Sequence, residues 1–246
     1  MPEMLTTPQG RRIAYHRTEG QGPSVVFLGG FKSDMGGTKA VHLEAWARAA
    51  GRAFLRFDYS GHGESDGAFE DGSIGDWHED AMAALGLVDG PLVLVGSSMG
   101  GWISLLCARA MPDRIAGLVT VAAAPDFTED SMWAGFDDAQ RAALARDGRI
   151  ALPSAYGAPY IITERLITEG RKTLVLRAPL HLPFPVRFLQ GTADADVSTA
   201  TALRLLDHAT GPDMRLTLVK GADHRFSDDT CLSLIVAAVE DVLSRA

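Results

Sequence analysis

The chain has 246 residues, enough to bury the core of one α/β domain, and its 46% hydrophobic and 22% charged residues are typical of a globular protein. A formal net charge of −8 argues against nucleic acid or an anionic membrane surface as the main partner. No apolar run approaches the roughly 18 residues that span a bilayer, so an integral membrane segment is not expected. Residues 1–12 lack the apolar core of a signal peptide, and a cytoplasmic location is expected. Cys107 and Cys231 lie in apolar, helix-like stretches and are expected to be buried free thiols.

Apolar runs, turn residues and amphipathic periods predict strands and helices that alternate along the chain. The predicted strands are Met4–Thr7, Arg12–Arg17, Ser24–Leu28, Ala53–Tyr59, Leu92–Val95, Ile115–Ala122, Val186–Gln190 and Met214–Val219. The predicted helices lie at about Lys39–Ala50, Ile74–Val88, Met99–Ala110, Ser198–His208 and Asp229–Ser244. Such alternation with short connections predicts an α/β fold with a mostly parallel central sheet and helices on both faces.

Residues 125–185 interrupt this alternation. They contain two short predicted helices, at about Asp137–Arg146 and Tyr160–Gly170, and no strong buried-strand pattern before Val186. We therefore predict a core domain made of residues 1–124 and 186–246, with residues 125–185 inserted into it as a helical lid. This segment is called the insertion below.

A candidate nucleophile lies in Gly96–Gly100, which fits the pattern Gly-x-Ser-x-Gly. Small neighbours are needed there because the serine sits on a sharp turn from a strand into a helix. The pattern also occurs at Gly63–Gly67, but Ser65 lies between two carboxylates that would oppose a developing alkoxide. Ser98 follows a predicted strand and precedes a predicted helix, so Ser98 is the predicted nucleophile, and the adjacent Ser97 is interpreted as a strand-end residue.

A serine hydroxyl needs a base to accept its proton, and in folds with this strand–turn–helix elbow the chain order is serine, acid, histidine. His181, His208 and His224 follow Ser98 in the second half of the chain. His224 lies between the last predicted strand and the last predicted helix, where a loop can reach back over the sheet edge. We predict that His224 is the base.

The segment Gln190–Val197 offers two candidates for the acid, Asp194 and Asp196. Asp194 is favoured because Gly191 lets the chain turn sharply after the strand. Asp196 is then interpreted as a helix cap or a first-turn acid. Asp223 is a third carboxylate, but its neighbour position in the sequence directs it away from His224.

Backbone amides are also expected to stabilise an oxyanion. One is the amide of Met99, at the start of a helix, and the other is the amide of Phe31, with that of Gly30 as the alternative. His62, in the segment Asp58–Ser65, is interpreted as part of a polar turn under the site rather than as a catalytic group. The sequence has no metal-spaced cluster and no dinucleotide-binding glycine loop, so no cofactor and no metal are predicted.

Apolar side chains are frequent in the insertion. Met132, Trp133 and Tyr156 are predicted to line a pocket for the acyl group, with Phe136 and Tyr160 nearby. The alternative is that these side chains only dock the insertion onto the sheet.

With these residues the chain resembles the α/β-hydrolase superfamily over its whole length. It is most similar to an abhydrolase-domain branch, the mitochondrial depalmitoylases (palmitoyl-protein thioesterases), known also as esterases of mycophenolic acid acyl-glucuronide. The matching pieces are Met35–Ala40, Arg56–Gly61, Gly96–Trp102, Pro153–Tyr156 and Asp223–Arg225.

The resemblance implies hydrolysis of S-acyl thioesters and activated esters by Ser98, Asp194 and His224. The partner it implies is thus a small-molecule or S-acylated substrate. Two departures stand out: the sequence shows no mitochondrial presequence, and His62 stands where that branch has another residue. Two alternatives stay open, a hydrolase of C–C bonds or small esters from aromatic degradation and a ligand-binding member without activity.

Overall fold

The computed structural model describes residues 1–153 and 159–246, in which strands and helices alternate. The strands are β1 (Glu3–Thr6), β2 (Arg12–Thr18), β3 (Gln21–Leu28), β4 (Arg52–Phe57), β5 (Leu92–Ser97), β6 (Ile115–Val121), β7 (Arg149–Leu152), β8 (Tyr160–Thr163), β9 (Leu180–His181), β10 (Val186–Gly191), β11 (Ala209–Thr210) and β12 (Met214–Val219). The helices are α1 (Thr38–Ala49), α2 (Ile74–Leu85), α3 (Met99–Ala110), α4 (Asp138–Asp147), α5 (Glu164–Gly170), α6 (Thr199–His208) and α7 (Asp229–Leu243).

The central sheet has eight strands in the order β1-β2-β4-β3-β5-β6-β10-β12. Only β2 runs against its neighbours β1 and β4, and the pairs from β4 to β12 are parallel. Leu28 pairs with Gly96, and Gly191 pairs with Val219, so the strands end together. The loops that follow them meet at one edge of the sheet, which is where ligands bind in such folds.

Both faces of the sheet are covered by helices. Val25 and Phe27 of β3 pack in one apolar layer with α1 and α7, whereas Val26 and Leu28 pack in the other with α2 and α3. Every residue of β5 is buried, which explains its continuous apolar run. The predicted fold class is confirmed.

The insertion differs from its predicted structure. Tyr160–Gly170 is not one helix: Tyr160–Thr163 pair with Arg149–Leu152 as two antiparallel strands, and only Glu164–Gly170 are helical. The β-branched residues before Glu164 favour an extended chain. Thr163 then caps α5, because its hydroxyl accepts a hydrogen bond from the Leu166 amide at 3.1 Å.

The insertion shares its core with the sheet domain. Leu166, Ile167 and Val175 are buried in the same apolar cluster as α2 and α3. The indole of Trp102, on α3, donates a hydrogen bond to the Thr173 carbonyl at 3.1 Å. All eight strands of the central sheet lie outside residues 125–185.

Two smaller expectations concern cysteines and membranes. Cys107 and Cys231 are buried and unbridged, as predicted. Within residues 1–153 and 159–246, no helix is both long enough and apolar enough to cross a bilayer.

Candidate active site

Ser98 sits on a sharp turn between β5 and α3. Its backbone has φ 55° and ψ −117°, in the left-handed region that residues with a β-carbon rarely adopt. A β-carbon on Gly100 would collide with the Leu28 carbonyl oxygen, and one on Gly96 would collide with the Gly100 carbonyl oxygen. Glycine at both positions therefore lets α3 start close beside the end of β3, as the motif predicts.

The loops after β10 and β12 bring Asp194 and His224 to Ser98. His224 Nε2 lies 3.1 Å from Ser98 Oγ, and His224 Nδ1 lies 2.9 Å from Asp194 Oδ2 and 3.1 Å from Oδ1. An ionised carboxylate only accepts hydrogen bonds, so the Nδ1–H donates to Asp194. The lone pair of Nε2 then faces Ser98, whose hydroxyl donates to it. The three predicted residues form one hydrogen-bonded chain.

Asp194 is held by several further donors. Its side chain is completely buried, and Oδ1 accepts the amides of Asp196 at 2.9 Å and Val197 at 2.8 Å. Gln190 Nε2 donates to Oδ2 at 3.0 Å. Burial alone would raise the pKa of Asp194, but the hydrogen bonds from His224 and the two amides outweigh it and hold that pKa below its ordinary value. The carboxylate is therefore charged at neutral pH.

The sequence motifs do not single out Gln190, although a lone amide side chain in an apolar strand is a usable signal. Its Nε2 also donates to the carbonyls of Gly191 and Val197, at 3.1 and 2.9 Å, which ties the end of β10 to the loop that carries Asp194.

Asp196 is exposed, and the interpretation of it as a helix cap or first-turn acid is wrong. α6 begins at Thr199, and the cap is Ser198, whose side chain accepts the Thr201 amide at 3.3 Å. The turn around the Asp194 carboxylate uses residues 195–197, which moves the helix start beyond Asp196. The Asp196 amide donates a hydrogen bond to Asp194 Oδ1 at 2.9 Å.

Asp194, Asp196 and His224 also form a group of three side chains close enough together to share a metal ion. The hydrogen bond between His224 and Asp194 accounts for the closeness of two of them. The same imidazole also faces Ser98. This group therefore belongs to the hydrogen-bonded chain, and it gives no separate reason to propose a metal centre.

A residue of the neighbouring helix α1 binds the loop that carries His224. Lys39 Nζ donates to the Arg225 carbonyl at 2.5 Å. Burial lowers the pKa of Lys39 to about 8, against the opposing charge of Asp223. Asp223 turns away from His224 and accepts the Phe226 amide at 3.0 Å, as predicted. Lys39 belongs to a piece of the sequence resemblance, but its contact depends on residues far apart in the chain.

The two peptide groups predicted to face an oxyanion lie beside Ser98. Met99 begins α3, so its amide has no carbonyl to bond within the helix. Phe31 lies in a tight turn closed by the Ser33 amide and the Gly30 carbonyl at 3.1 Å. No residue in the described parts of the chain accepts a hydrogen bond from the Phe31 amide. A β-carbon on Gly30 would lie 3.4 Å from Ser98 Cβ, which shows how closely the turn passes Ser98.

Ser65 has a structural role. Its hydroxyl accepts the Ala14 amide at 2.8 Å and donates to the Asp58 carbonyl at 2.7 Å, which ties its loop to β2. Asp58 accepts the amides of Met35 and Glu64, at 2.6 and 2.9 Å. The segment 58–65 is thus a polar turn beneath the site, as predicted.

Ser98 and His224 open into a cleft of about 720 Å³, within the usual size range of a small-molecule site. The apolar part of its lining, called the apolar wall below, includes Phe31, Met99, Pro125, Phe127, Met132 and Tyr160. The lining also includes the charged residues Lys32, Lys39, Asp130, Asp196, Arg204 and Arg225. The insertion supplies much of the apolar wall.

The residues predicted to bind the acyl group have different positions. Met132 lines the cleft, together with Tyr160. Trp133 is not among the lining residues: its ring centroid lies 5.2 Å from the guanidinium carbon of Arg141 and 4.7 Å from that of Arg171. Successive residues of a helical turn point in different directions, so Trp133 need not follow Met132 into the cleft. Tyr156 lies outside the described residues.

Comparisons with known proteins agree with this geometry. The family described as serine aminopeptidase, S33, matches residues 22–155, more than half of the chain. The mitochondrial palmitoyl-protein thioesterase ABHD10 of Rattus norvegicus is 34% identical over 244 residues, covering 98% of this chain and 82% of that protein. The chain belongs to the α/β-hydrolase family. It is a serine hydrolase of the α/β fold, and the resemblance given by its motifs is confirmed.

Solved structures of similar hydrolases superpose closely on this chain. A putative hydrolase from Agrobacterium vitis S4 superposes with a TM-score of 0.95 at 38% identity, covering 99% of this chain and 98% of that one. Mouse α/β-hydrolase domain-containing protein 10 superposes with a TM-score of 0.92 at 32% identity, with the same coverage of 99% and 98%.

Proposed function

We propose that the chain is an esterase and thioesterase in which Ser98, His224 and Asp194 are the catalytic residues. The observation that carries the proposal is the hydrogen-bonded chain from Ser98 Oγ through His224 to the buried Asp194, where Ser98 and His224 line a cleft with both apolar and charged residues. Each link has the direction that nucleophilic catalysis needs, because the hydroxyl proton points to a neutral imidazole nitrogen.

The chemistry follows in two halves. His224 Nε2 takes the proton of Ser98 as Oγ attacks the acyl carbon, and the carbonyl oxygen becomes an oxyanion facing the Met99 and Phe31 amides. The C–O or C–S bond then breaks, and His224 gives its proton to the departing oxygen or sulfur. Water, deprotonated by the same imidazole, cleaves the acyl-serine and regenerates Ser98. Asp194 keeps the imidazole oriented and stabilises its charged form.

We propose that the acyl group is a long aliphatic chain of the palmitoyl type. The support is the apolar wall of the cleft and the 34% identity to a palmitoyl-protein thioesterase over nearly the whole chain. Each buried methylene contributes about 0.8 kcal/mol, so lengthening the acyl chain by two carbons should raise kcat/KM roughly tenfold until the wall is covered.

The test uses a fluorophosphonate probe and two matched serine variants. Wild type and Ser65→Ala should be labelled and should turn over p-nitrophenyl and S-acyl-peptide substrates. Ser98→Ala should not be labelled, and its kcat should fall by on the order of 10⁶-fold if the three residues act as a unit. Normal turnover by Ser98→Ala would refute the assignment of the nucleophile. A flat dependence of kcat/KM on chain length would instead refute the long-chain substrate and favour a hydrolase of small esters.

A further inference from the structure

Two loops beside the active site are joined by three hydrogen bonds. They are the Asp58–Ser65 loop and the segment 29–35, which carries the Phe31 amide. The Tyr59 hydroxyl donates to the Gly29 carbonyl at 3.4 Å, and Asp58 Oδ1 accepts the Met35 amide at 2.6 Å. Between these two bonds, the Lys32 amide donates to His62 Nε2 at 3.2 Å. This middle bond lies one residue from the amide assigned to the oxyanion.

The surroundings of His62 fix its tautomer. His62 Nδ1 lies 3.2 Å from the Ser60 carbonyl, which can only accept a hydrogen bond, so the proton is on Nδ1. Nε2 is then an acceptor, as the Lys32 amide requires. Ser60 is itself anchored, because Asp80 accepts its amide at 2.9 Å and its hydroxyl at 2.6 Å. Asp80 is completely buried and also accepts Arg11 Nε at 2.7 Å.

Lys32 has a backbone conformation that needs such support. Its φ is 56°, in the left-handed region, where a residue with a β-carbon is destabilised by roughly 1 kcal/mol or more. The Lys32 N–H belongs to the peptide group that follows Phe31. Holding that N–H on His62 therefore fixes the peptide plane next to the one that carries the Phe31 N–H.

We infer that His62 is a positioning residue, which holds the Phe31–Lys32 peptide so that the Phe31 amide is preorganised as an oxyanion donor. The inference rests on the proposed function.

The burial of His62 supports this role. It is 3% exposed, and its ring packs against Tyr59, Phe69 and Trp77 with centroids 5.6, 5.1 and 5.0 Å away. Burial lowers the pKa of His62 to about 4. The nearby charge of Lys32 also lowers this pKa, whereas the hydrogen bond to the Ser60 carbonyl and the charge of Asp80 raise it. The His62 ring is therefore neutral at neutral pH, and its Nε2 carries no proton and can accept a hydrogen bond.

The kinetic test compares His62→Leu, which removes the acceptor, with His62→Gln, whose Oε1 can accept from the Lys32 amide. Complete loss of an oxyanion donor costs about 10²–10³-fold in kcat. A misplaced donor should cost part of that, so His62→Leu should lower kcat by about 10- to 100-fold and leave KM within about twofold. Its affinity for a trifluoromethyl ketone, which forms an oxyanion on Ser98, should fall by the same factor. His62→Gln should recover most of both losses.

His78→Leu is the matched control. His78 lies on α2 and is partly buried, and its Nε2 has no hydrogen-bond partner within the described residues. It should keep the wild-type kcat. Unchanged kcat in His62→Leu, equal losses in His62→Leu and His62→Gln, or a change confined to KM would overturn the inference.

A measurement on the wild type covers the case in which His62→Leu does not fold. The ¹⁵N chemical shifts of the His62 ring should show a protonated Nδ1 and an unprotonated Nε2 at pH 7. The opposite tautomer would overturn the inference, because Nε2–H cannot accept the Lys32 amide. Failure of the proposed function is recognised separately, since Ser98→Ala would then retain activity.

Discussion

Replacing Met132 by alanine should weaken the preference for long acyl chains without changing the hydrolysis of acetyl esters. Met132 lines the cleft on the side of the insertion, while the hydrogen-bonded chain to Ser98 is formed by other elements. The change removes three side-chain heavy atoms, and the residue is only partly buried before substrate binds. At about 0.8 kcal/mol per buried methylene, the loss is roughly 1–2 kcal/mol, or about 5- to 30-fold in kcat/KM for substrates that reach this side chain.

The assay is kcat/KM for a series of p-nitrophenyl esters of increasing chain length, with Trp133→Ala as the control. Trp133 directly follows Met132 in the chain, but its ring packs against the guanidinium groups of Arg141 and Arg171. Its loss should lower the melting temperature, because cation–π contacts at such sites contribute about 0.5–1 kcal/mol each. It should leave the dependence on chain length unchanged. A Met132→Ala enzyme that loses acetyl and long-chain esters equally, or a Trp133→Ala enzyme with the flatter series, would refute this assignment of the wall.

Three further predictions follow from the described contacts. Asp194→Asn should lower kcat by about 10⁴-fold, by analogy with other Ser-His-Asp enzymes. Asp196→Asn should change kcat only a few-fold, because the substitution keeps the backbone amide that donates to Asp194. Steady-state kinetics in which Asp196→Asn is the more impaired variant would identify Asp196 as the acid. The pKa of His62 is about 4 in the fold and ordinarily about 6.5, so the unfolded chain binds the extra proton first as pH falls. The free energy of unfolding should therefore decrease between pH 6.5 and 4, by up to about 3 kcal/mol, and urea titrations of His62→Gln should lack this part of the decrease. Asp126 is fully buried and accepts the amides of Val175 and Leu176 at 2.8 and 3.0 Å. Asp126→Ala should lower the free energy of unfolding by about 3 kcal/mol, because two buried amides lose their acceptor, and an unchanged urea midpoint would contradict this.

The parts of the site that sequence predicts best are those set by local geometry and chain order. The elbow at Ser98 is recognisable because glycines are needed where α3 approaches β3, and the apolar run of β5 precedes it. His224 is recognisable because parallel strands end at one edge, so the loops after β10 and β12 must lie near Ser98. Both inferences need only the order of elements.

Contacts between distant segments are not visible in the same way. Lys39 reaches the Arg225 carbonyl across 186 residues of sequence, and no motif encodes that distance. The helix expected at Tyr160–Gly170 fails because pairing with β7 decides the state of a short apolar run, and β7 has no strong pattern of its own. The direction of Trp133 depends on a local winding of Thr128–Trp133 that is wider than an α-helix, which propensity does not reveal.

The way the insertion is attached limits how the cleft can open. Its ion pairs with the core, such as Arg165 with Asp76, are partly exposed and contribute at most about 1 kcal/mol each. Leu166, Ile167 and Val175, by contrast, are almost fully buried beside α2 and α3, and each stabilises the attachment by about 1.5–3 kcal/mol. Moving the insertion away from the core would expose all three side chains together. The free energy lost in this way is larger than the free energy gained by burying a few methylenes of a substrate. We therefore expect the proposed acyl substrate to enter through the existing mouth of the cleft, past side chains such as Met132, without a hinged opening of the insertion.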